Sequence, residues 1–303
     1  MLRHRLDAAL AQVNGVLLGK PRQVKLAFAC LVAGGHLLLE DVPGVGKTTL
    51  AQALAATFDL AFQRIQFTSD LLPSDIIGVS VYERETSEFR FHPGPIFTSL
   101  LLADEINRAT PKSQSALLEA MAEGQATVDG TTYDLPKPFF VVATQNPLDL
   151  AGTFPLPDSQ LDRFMLRLSL DYPDPAAERA LLIGEDRRDM MATLRPRLDA
   201  EAIGHLRVAA QHVKATGALL DYLQALLAAS RKHNDVRVGL SPRAGLAILA
   251  ASRAWALISG RDHVIPEDVQ TVFVPAAAHR LVPGRGSHRE AIARAILADT
   301  AVP

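Results

Sequence analysis

The chain has 303 residues, 48 % of them hydrophobic and 21 % charged, a globular composition with mass for one large domain or two ordinary ones. A formal net charge of −2 offers no bulk attraction to nucleic acid or to an anionic membrane. Cys30 is the single cysteine, which excludes a disulfide framework and a cysteine-based zinc site.

Residues 1–15 carry charge at their start but no apolar core before a cleavage site, so they do not read as a signal peptide. The run from Leu26 to Leu39 is apolar for 14 residues, broken by Gly34, Gly35 and His36, and too short to span a bilayer. The expected address is therefore the cytoplasm. Cys30 sits inside this run and reads as a buried small hydrophobe.

Residues 36–50, HLLLEDVPGVGKTTL, carry the strongest chemical signal: an apolar strand, a Gly-rich loop, then a helix opening with Lys-Thr-Thr. Gly44 and Gly46 let the backbone curl its N–H groups inward at a phosphate; Lys47 can reach the β/γ-phosphates and the Thr48 hydroxyl can hold Mg²⁺. Val42, Pro43, Gly44, Val45, Gly46, Lys47, Thr48 and Thr49 form the candidate nucleotide-binding set. Leu50, Leu54 and Phe58 continue the helix, whose positive end points at the same anion. Asp41 occupies the first glycine position of G-x-x-x-x-G-K-[ST]. A chance Gly-Lys-Thr in a surface loop is disfavoured by the strand–loop–helix context.

Further short apolar strands follow at 62–67, 99–105 and 139–146, separated by helical segments, the pattern of buried strands in a parallel α/β sheet. Two hairpins interrupt them. Residues 78–94 alternate on each side of a turn at Glu85–Ser87, and residues 126–135 turn at Asp129-Gly130.

The strand Leu100–Ala103 ends in Asp104-Glu105, 57 residues after Lys47. As a sheet partner of the phosphate loop, Asp104 would complete a Mg²⁺ shell and Glu105 would polarise the attacking water. An ordinary charged strand end is the competing reading. Asn146 ends the next strand and can bond the γ-phosphate or the water, although a strand-end Asn before Pro147 is by itself usually a turn residue. Arg163 and Arg243 are cations in apolar settings. Each reads either as a surface ion-pair partner or as a charge that neutralises a transferring phosphoryl group.

Near residue 171 the pattern turns helical, after DYPDPAAER with Pro173 and Pro175. Leu219, Tyr222, Leu223, Leu226 and Leu227 form one apolar stripe, and 244–258 and 290–297 form others. The expected division is an α/β nucleotide-binding core at 1–170, a linker at 171–190 and an all-α lid at 191–303.

From about residue 14 to residue 283 the chain resembles the MoxR family of AAA+ ATPases. The blocks that carry it are GGHLLLEDVPGVGKTTLA, LLADEINRATPKSQSALLEAMAEGQ, FFVVATQNPLDLAGTFPLPDSQLDRF and LSPRAGLAI. The resemblance implies a P-loop core with two inserted hairpins and an all-α lid. Lys47 and Thr48 fall on Walker A, Asp104 and Glu105 on Walker B, Asn146 on sensor 1, Arg163 on the arginine finger and Arg243 on sensor 2. The hairpins match the helix-2 insert and the pre-sensor-1 hairpin, marks of the branch that includes the minichromosome-maintenance helicases. It further implies ATP with Mg²⁺ and a homo-oligomeric ring, usually a hexamer, whose hairpins face the pore or substrate side. The implied partners are a von Willebrand factor A protein and a protein client.

Three function classes meet these residues: an ATP-driven chaperone or remodeller of client proteins or of metal- or cofactor-enzyme complexes, a nucleic-acid-stimulated motor, and a kinase or GTP switch. Glu105 would waste ATP in a kinase, and no N-K-x-D guanine motif is present. The motor reading lacks a basic balance, since Arg195/Arg197 and Arg231/Lys232 are small solvated clusters. The remodeller is the expected function, with the nucleic-acid-stimulated motor and a magnesium-chelatase-like ATPase subunit as the alternatives.

Overall fold

The computed structural model describes residues 2–147, 152–184 and 187–302, and of 187–189 the backbone alone. Positions 148–151 of the third family block and 185–186 of the expected linker lie outside the described residues.

Two helices, α1 (Leu2–Val16) and α2 (Pro21–Ala33), precede β1 (Leu37–Glu40) and α3 (Lys47–Thr57). Then come β2 (Phe62–Gln66), α4 (Pro73–Ile77), the hairpin β3 (Gly78–Glu83) and β4 (Glu88–Pro93), and β5 (Leu100–Asp104). A helix α5 (Pro111–Glu123) leads into the second hairpin, β6 (Gln125–Val128) and β7 (Thr131–Asp134), followed by β8 (Phe140–Gln145), α6 (Asp158–Leu161) and β9 (Leu166–Leu168). The rest is helical: α7 (Pro175–Ile183), α8 (Arg187–Thr193), α9 (Ala200–Gln211), α10 (Gly217–Lys232), α11 (Pro242–Ile258), α12 (Pro266–Ala277) and α13 (Arg289–Asp299). A small antiparallel pair, β10 (Val236–Val238) and β11 (Val282–Pro283), lies among these helices.

The main sheet is parallel with strand order β2-β5-β8-β1-β9. Its three inner strands are buried on both faces, which is why they read as continuous apolar runs. The edge strand β9 is only Leu-Arg-Leu, too short to announce itself by pattern. Leu37, Leu39, Leu100, Leu102 and Val142 face one layer, and Leu38, Leu101, Ala103, Val141 and Ala143 face another built on α5.

The first layer continues without a break into the C-terminal helices. Its centre is α2, where every residue from Leu26 to Val32 is buried, Cys30 among them. A helix apolar all round must be covered on all sides. α11, α9 and α1 pack on α2, and its apolar residues share one core with those of the sheet, Cys30 lying against the Leu166 backbone of β9.

The hairpins stand outside the main sheet, each as its own two-stranded ribbon. Phe91 of β4 stacks on Tyr133 of β7 with ring centroids 4.1 Å apart, so the two ribbons are packed together. Beyond that stack Tyr82 and Phe89 form a cross-strand pair at 5.3 Å that is largely exposed.

His36, at the entrance to β1, ties the second layer to the sheet. Its Nδ1 accepts from the Val141 N–H at 3.0 Å and its Nε2 donates to the Met121 carbonyl at 3.2 Å, an arrangement that requires the neutral ring. Burial drives its pKa from 6.5 to about 4. A depressed folded-state pKa means that this contribution is whole above about pH 6.5 and is lost as the pH falls toward 4. Chemical denaturation across that window should show stability falling by up to about 3 kcal/mol through this group. His36→Gln, which keeps a donor and an acceptor, should flatten the slope; an unaltered slope would assign the titration to other groups.

Candidate active site

The strand order places the C-terminal ends of β1, β5 and β8 on one edge of the sheet, the usual place for a ligand crevice in parallel α/β folds. The loop leaving β1 arches over this edge and returns as α3. Gly44 has φ +85° and Gly46 φ +103°, backbone that L side chains rarely adopt. At Gly46 a Cβ would also meet the tip of the Leu17 side chain at 2.8 Å, so the positive φ is the firmer reason for glycine there. Lys47 Nζ donates to the carbonyls of Asp41 (2.6 Å) and Val42 (2.8 Å), bracing the arch, and its third proton remains for an anion. Burial lowers the Lys47 pKa, and the carboxylates of Asp41, Asp104 and Glu105 pull it back toward its ordinary value.

Asp41, at the position where the motif usually has glycine, is buried and fully engaged. Its Oδ2 accepts from the N–H groups of Leu170 (2.6 Å) and Asp171 (2.7 Å) and from the Ser169 hydroxyl (3.0 Å), while Oδ1 accepts from the Val42 N–H (2.9 Å). The carboxylate therefore fastens the root of the phosphate loop to the chain leaving β9.

At the end of β5, Asp104 is buried between two partners. Thr144 Oγ1 donates to its Oδ1 at 2.6 Å, and Arg64 reaches its Oδ2 at 2.6 Å. The Glu105 N–H donates to the same Thr144 hydroxyl at 2.8 Å, which aligns the neighbouring carboxylates. The Glu105 side chain accepts from Gln66 Nε2 at 2.8 Å and pairs with Arg108 at 3.1 Å, both through Oε2. Asn146 follows β8 and closes the far wall.

These groups enclose a cavity of about 300 Å³ lined by Pro43, Gly44, Gly46, Lys47, Thr48, Thr49, Asp104, Glu105, Thr144, Gln145 and Asn146. Val42 and Val45 belong to the loop but not to the wall: the Val42 N–H is spent on Asp41, and Val45 packs against the core. Among the described residues Gln145 Nε2 is buried with no partner, a donor at the cavity edge that an anionic oxygen could satisfy. Thr48 and Asp104 supply hard oxygen donors of the kind Mg²⁺ takes and would hold it, and the ion would supply neutralisation of phosphate charge. A larger cavity of about 860 Å³ beside β9 contains no residue of 43–49, and Arg167 in its wall is already bound to Glu40 and Glu290.

Arg163 and Arg243 do not line the small cavity. Arg163 follows α6 and donates to the Leu118 carbonyl at 2.7 Å. Arg243, in the first turn of α11 and 68 % exposed, lies 4.0 Å from the Asp162 carboxylate, next in the chain to Arg163.

Comparison with known proteins agrees with this geometry. A family model for the ATPase family associated with various cellular activities (AAA) matches residues 36–166, and an AAA lid domain matches 228–300. Chaperone MoxR1 of Mycobacterium tuberculosis is 41 % identical over 92 % of this chain and 76 % of its own. The protein MoxR of Paracoccus denitrificans is 32 % identical over 97 % and 94 %. The chain belongs to the MoxR family of AAA+ ATPases. YeaC of Bacillus subtilis is 45 % identical over 98 % of this chain and 95 % of its own. A crystal structure from Cytophaga hutchinsonii, proposed to be an ATPase, superposes with a TM-score of 0.89 at 34 % identity, covering 100 % of this chain and 96 % of that one. The MoxR assignment carries with it the AAA+ α/β fold and a helical lid.

Arg64, Gln66, Arg108, Thr144 and Gln145 are the site residues that sequence reading missed. The roles of Arg64, Gln66 and Thr144 come from the register between strands, which sets Gln66 opposite Asp104 and Leu39 opposite Thr144, whereas Arg108 meets Glu105 through local i,i+3 spacing. The one available signal was polar residues, Arg64 and Gln66, at alternate positions of a strand. Thr144→Val keeps the shape but removes the hydroxyl that aligns Asp104 and Glu105. It should lower ATP turnover by about 10–100-fold with nucleotide affinity little changed, measured by steady-state hydrolysis and nucleotide titration.

Proposed function

We propose that this chain is an ATP-hydrolysing, ring-forming remodeller of client proteins whose active site is completed by the neighbouring subunit. The observation that carries this reading is the separation of the charges. The small cavity holds the phosphate cradle and the acidic pair, whereas Arg163, on the Leu118 carbonyl, and Arg243, beside Asp162, lie outside its wall. Cations in that position serve a phosphoryl group best when presented to another copy's cavity, and head-to-tail contacts of this kind close into rings.

In the proposed reaction the loop amides and Lys47 hold the triphosphate; Thr48 and Asp104 would hold Mg²⁺, which would supply charge neutralisation. Glu105 accepts a proton from the water that attacks the γ-phosphorus. The bond to the β–γ bridging oxygen breaks, giving ADP and phosphate, while Asn146 positions the water and the neighbour's Arg163 and Arg243 meet the developing charge. Arginine fingers contribute about 10³–10⁵ in rate, or about 4–7 kcal/mol of barrier, so isolated subunits are nearly inactive.

The helical segment at 191–303 acts as the lid on a core at 1–170. The exposed Tyr82–Phe89 pair supports a client-facing hairpin, with Phe91 held back as its anchor on Tyr133. A von Willebrand factor A protein supplies client choice in the cytoplasm, and six is the expected subunit number. Among the described residues no helix is long and apolar enough to cross a membrane.

Two tests follow. Lys47→Ala should abolish nucleotide binding, whereas Glu105→Gln should bind ATP and turn it over very slowly; wild-type turnover in Glu105→Gln would remove the base assignment. Mixing Arg163→Ala with Glu105→Gln subunits should restore hydrolysis that each lacks alone by roughly 10³-fold. At a mixed interface the second donates its finger to the first. Co-assembled mixtures with no gain would make Arg163 a structural residue or a cis-acting one.

A further inference from the structure

Arg163 is carried by a short segment, from Asp158 to Met165, that could not hold a side chain in place by itself. Its helix, α6, is a single turn. Besides the Arg163 bond to the Leu118 carbonyl and the Met165 N–H bond to the His36 carbonyl, the segment is held by the C-terminal helical region. Arg280, 5 % exposed, sends Nε to Asp162 Oδ1 at 2.7 Å and Nη2 to the carbonyls of Phe164 (2.8 Å) and Asp162 (3.3 Å). Its Nη1 donates to the Met165 carbonyl at 3.1 Å and to the Ala276 carbonyl of α12. Beside it, His279 Nε2 donates to the Phe164 carbonyl at 2.9 Å. Arg289 at the start of α13 bonds Asp158 Oδ1 at 2.6 Å and the His279 carbonyl at 2.8 Å.

A guanidinium has five N–H donors in a rigid fork, and Arg280 uses them on both sides of Arg163 and on α12. Such a fork fixes direction as well as distance. Asp162 faces Arg280 through Oδ1 and Arg243 through Oδ2, so a single carboxylate refers both proposed trans-acting cations to the same point.

We propose that Arg280, Arg289 and their acceptors Asp162 and Asp158 are positioning residues that set where Arg163 and Arg243 are presented to the neighbouring subunit. This rests on the trans reading of Arg163. The network joins α12 and α13 to that segment, so movement of the lid in one subunit is felt at the next subunit's phosphate.

Arg280→Ala would leave buried carbonyls unpaired and could unfold the protein, so the test uses Asp162→Asn and Arg289→Ala, whose sites are partly exposed. Each should still assemble, bind ATP with wild-type affinity, and lose about 10–100-fold in turnover, the scale of a misplaced catalytic group. Mixed with Glu105→Gln, each should regain turnover, because its own cradle and base are whole. Mixed with Arg163→Ala, neither should regain it, because both partners lack a well-placed finger. Asp162→Glu should recover part of the loss.

Wild-type turnover in both variants, or rescue of their defect by Arg163→Ala, would overturn the inference. Arg163→Ala mixed with Glu105→Gln runs alongside. If that pair fails to complement, the trans reading falls and takes this proposal with it. If that pair complements while Asp162→Asn and Arg289→Ala do not follow it, the positioning role alone is wrong.

Discussion

The parallel pairing of β5, β8 and β1 brings three strand ends to one edge, and the register then decides which side chains meet there. Leu39 stands opposite Thr144 and Gln66 opposite Asp104, so β5 and β8 turn polar at one level and β1 one residue later, at Glu40. Above that level the phosphate loop turns back into α3, and its amides and Lys47 have a fixed floor of carboxylates beneath them. Slippage by a single residue would reverse the side-chain faces of the slipped strand and dissolve the site along with the core.

The same edge explains why a loop with aspartate at its first motif position is sound. A glycine there would serve only the turn. Asp41 instead accepts four hydrogen bonds, three of them from residues 169–171 where the chain leaves β9. A buried carboxylate is tolerated only when satisfied in this way. The result is a loop anchored to the very segment that connects the sheet to the C-terminal helices. Charge is divided just as firmly. Acids and Lys47 gather at the cavity, while Arg243 and Arg280 gather around Asp162 and Arg163 turns to the Leu118 carbonyl.

Much of the fold was visible in the sequence because its inner strands have no exposed face. Continuous runs such as Leu37–Leu39 and Phe140–Ala143 have few other readings, and both hairpins announced their turns. The fifth strand was not visible, since three residues with Arg167 in the middle carry no period. The buried character of Cys30 was legible, but not that α2 would join the sheet layer to the helical layer, which depends on long-range packing. At the site, glycines, Lys47 and the acidic pair were legible from local spacing. Thr144, Gln66 and Arg64 were not, because their roles come from cross-strand geometry. The relation of Arg243 to Asp162 spans 81 residues and has no local signature at all.

In the proposed mechanism one subunit binds nucleotide but two are needed to hydrolyse it. The most direct measurement is ATP turnover per subunit against protein concentration, with the assembled fraction followed by sizing in the same samples and nucleotide affinity followed in parallel. Turnover should rise with the assembled fraction from near zero in the dilute protein, while affinity in the dilute protein stays intact. Constant turnover per subunit in a demonstrably monomeric sample would contradict it.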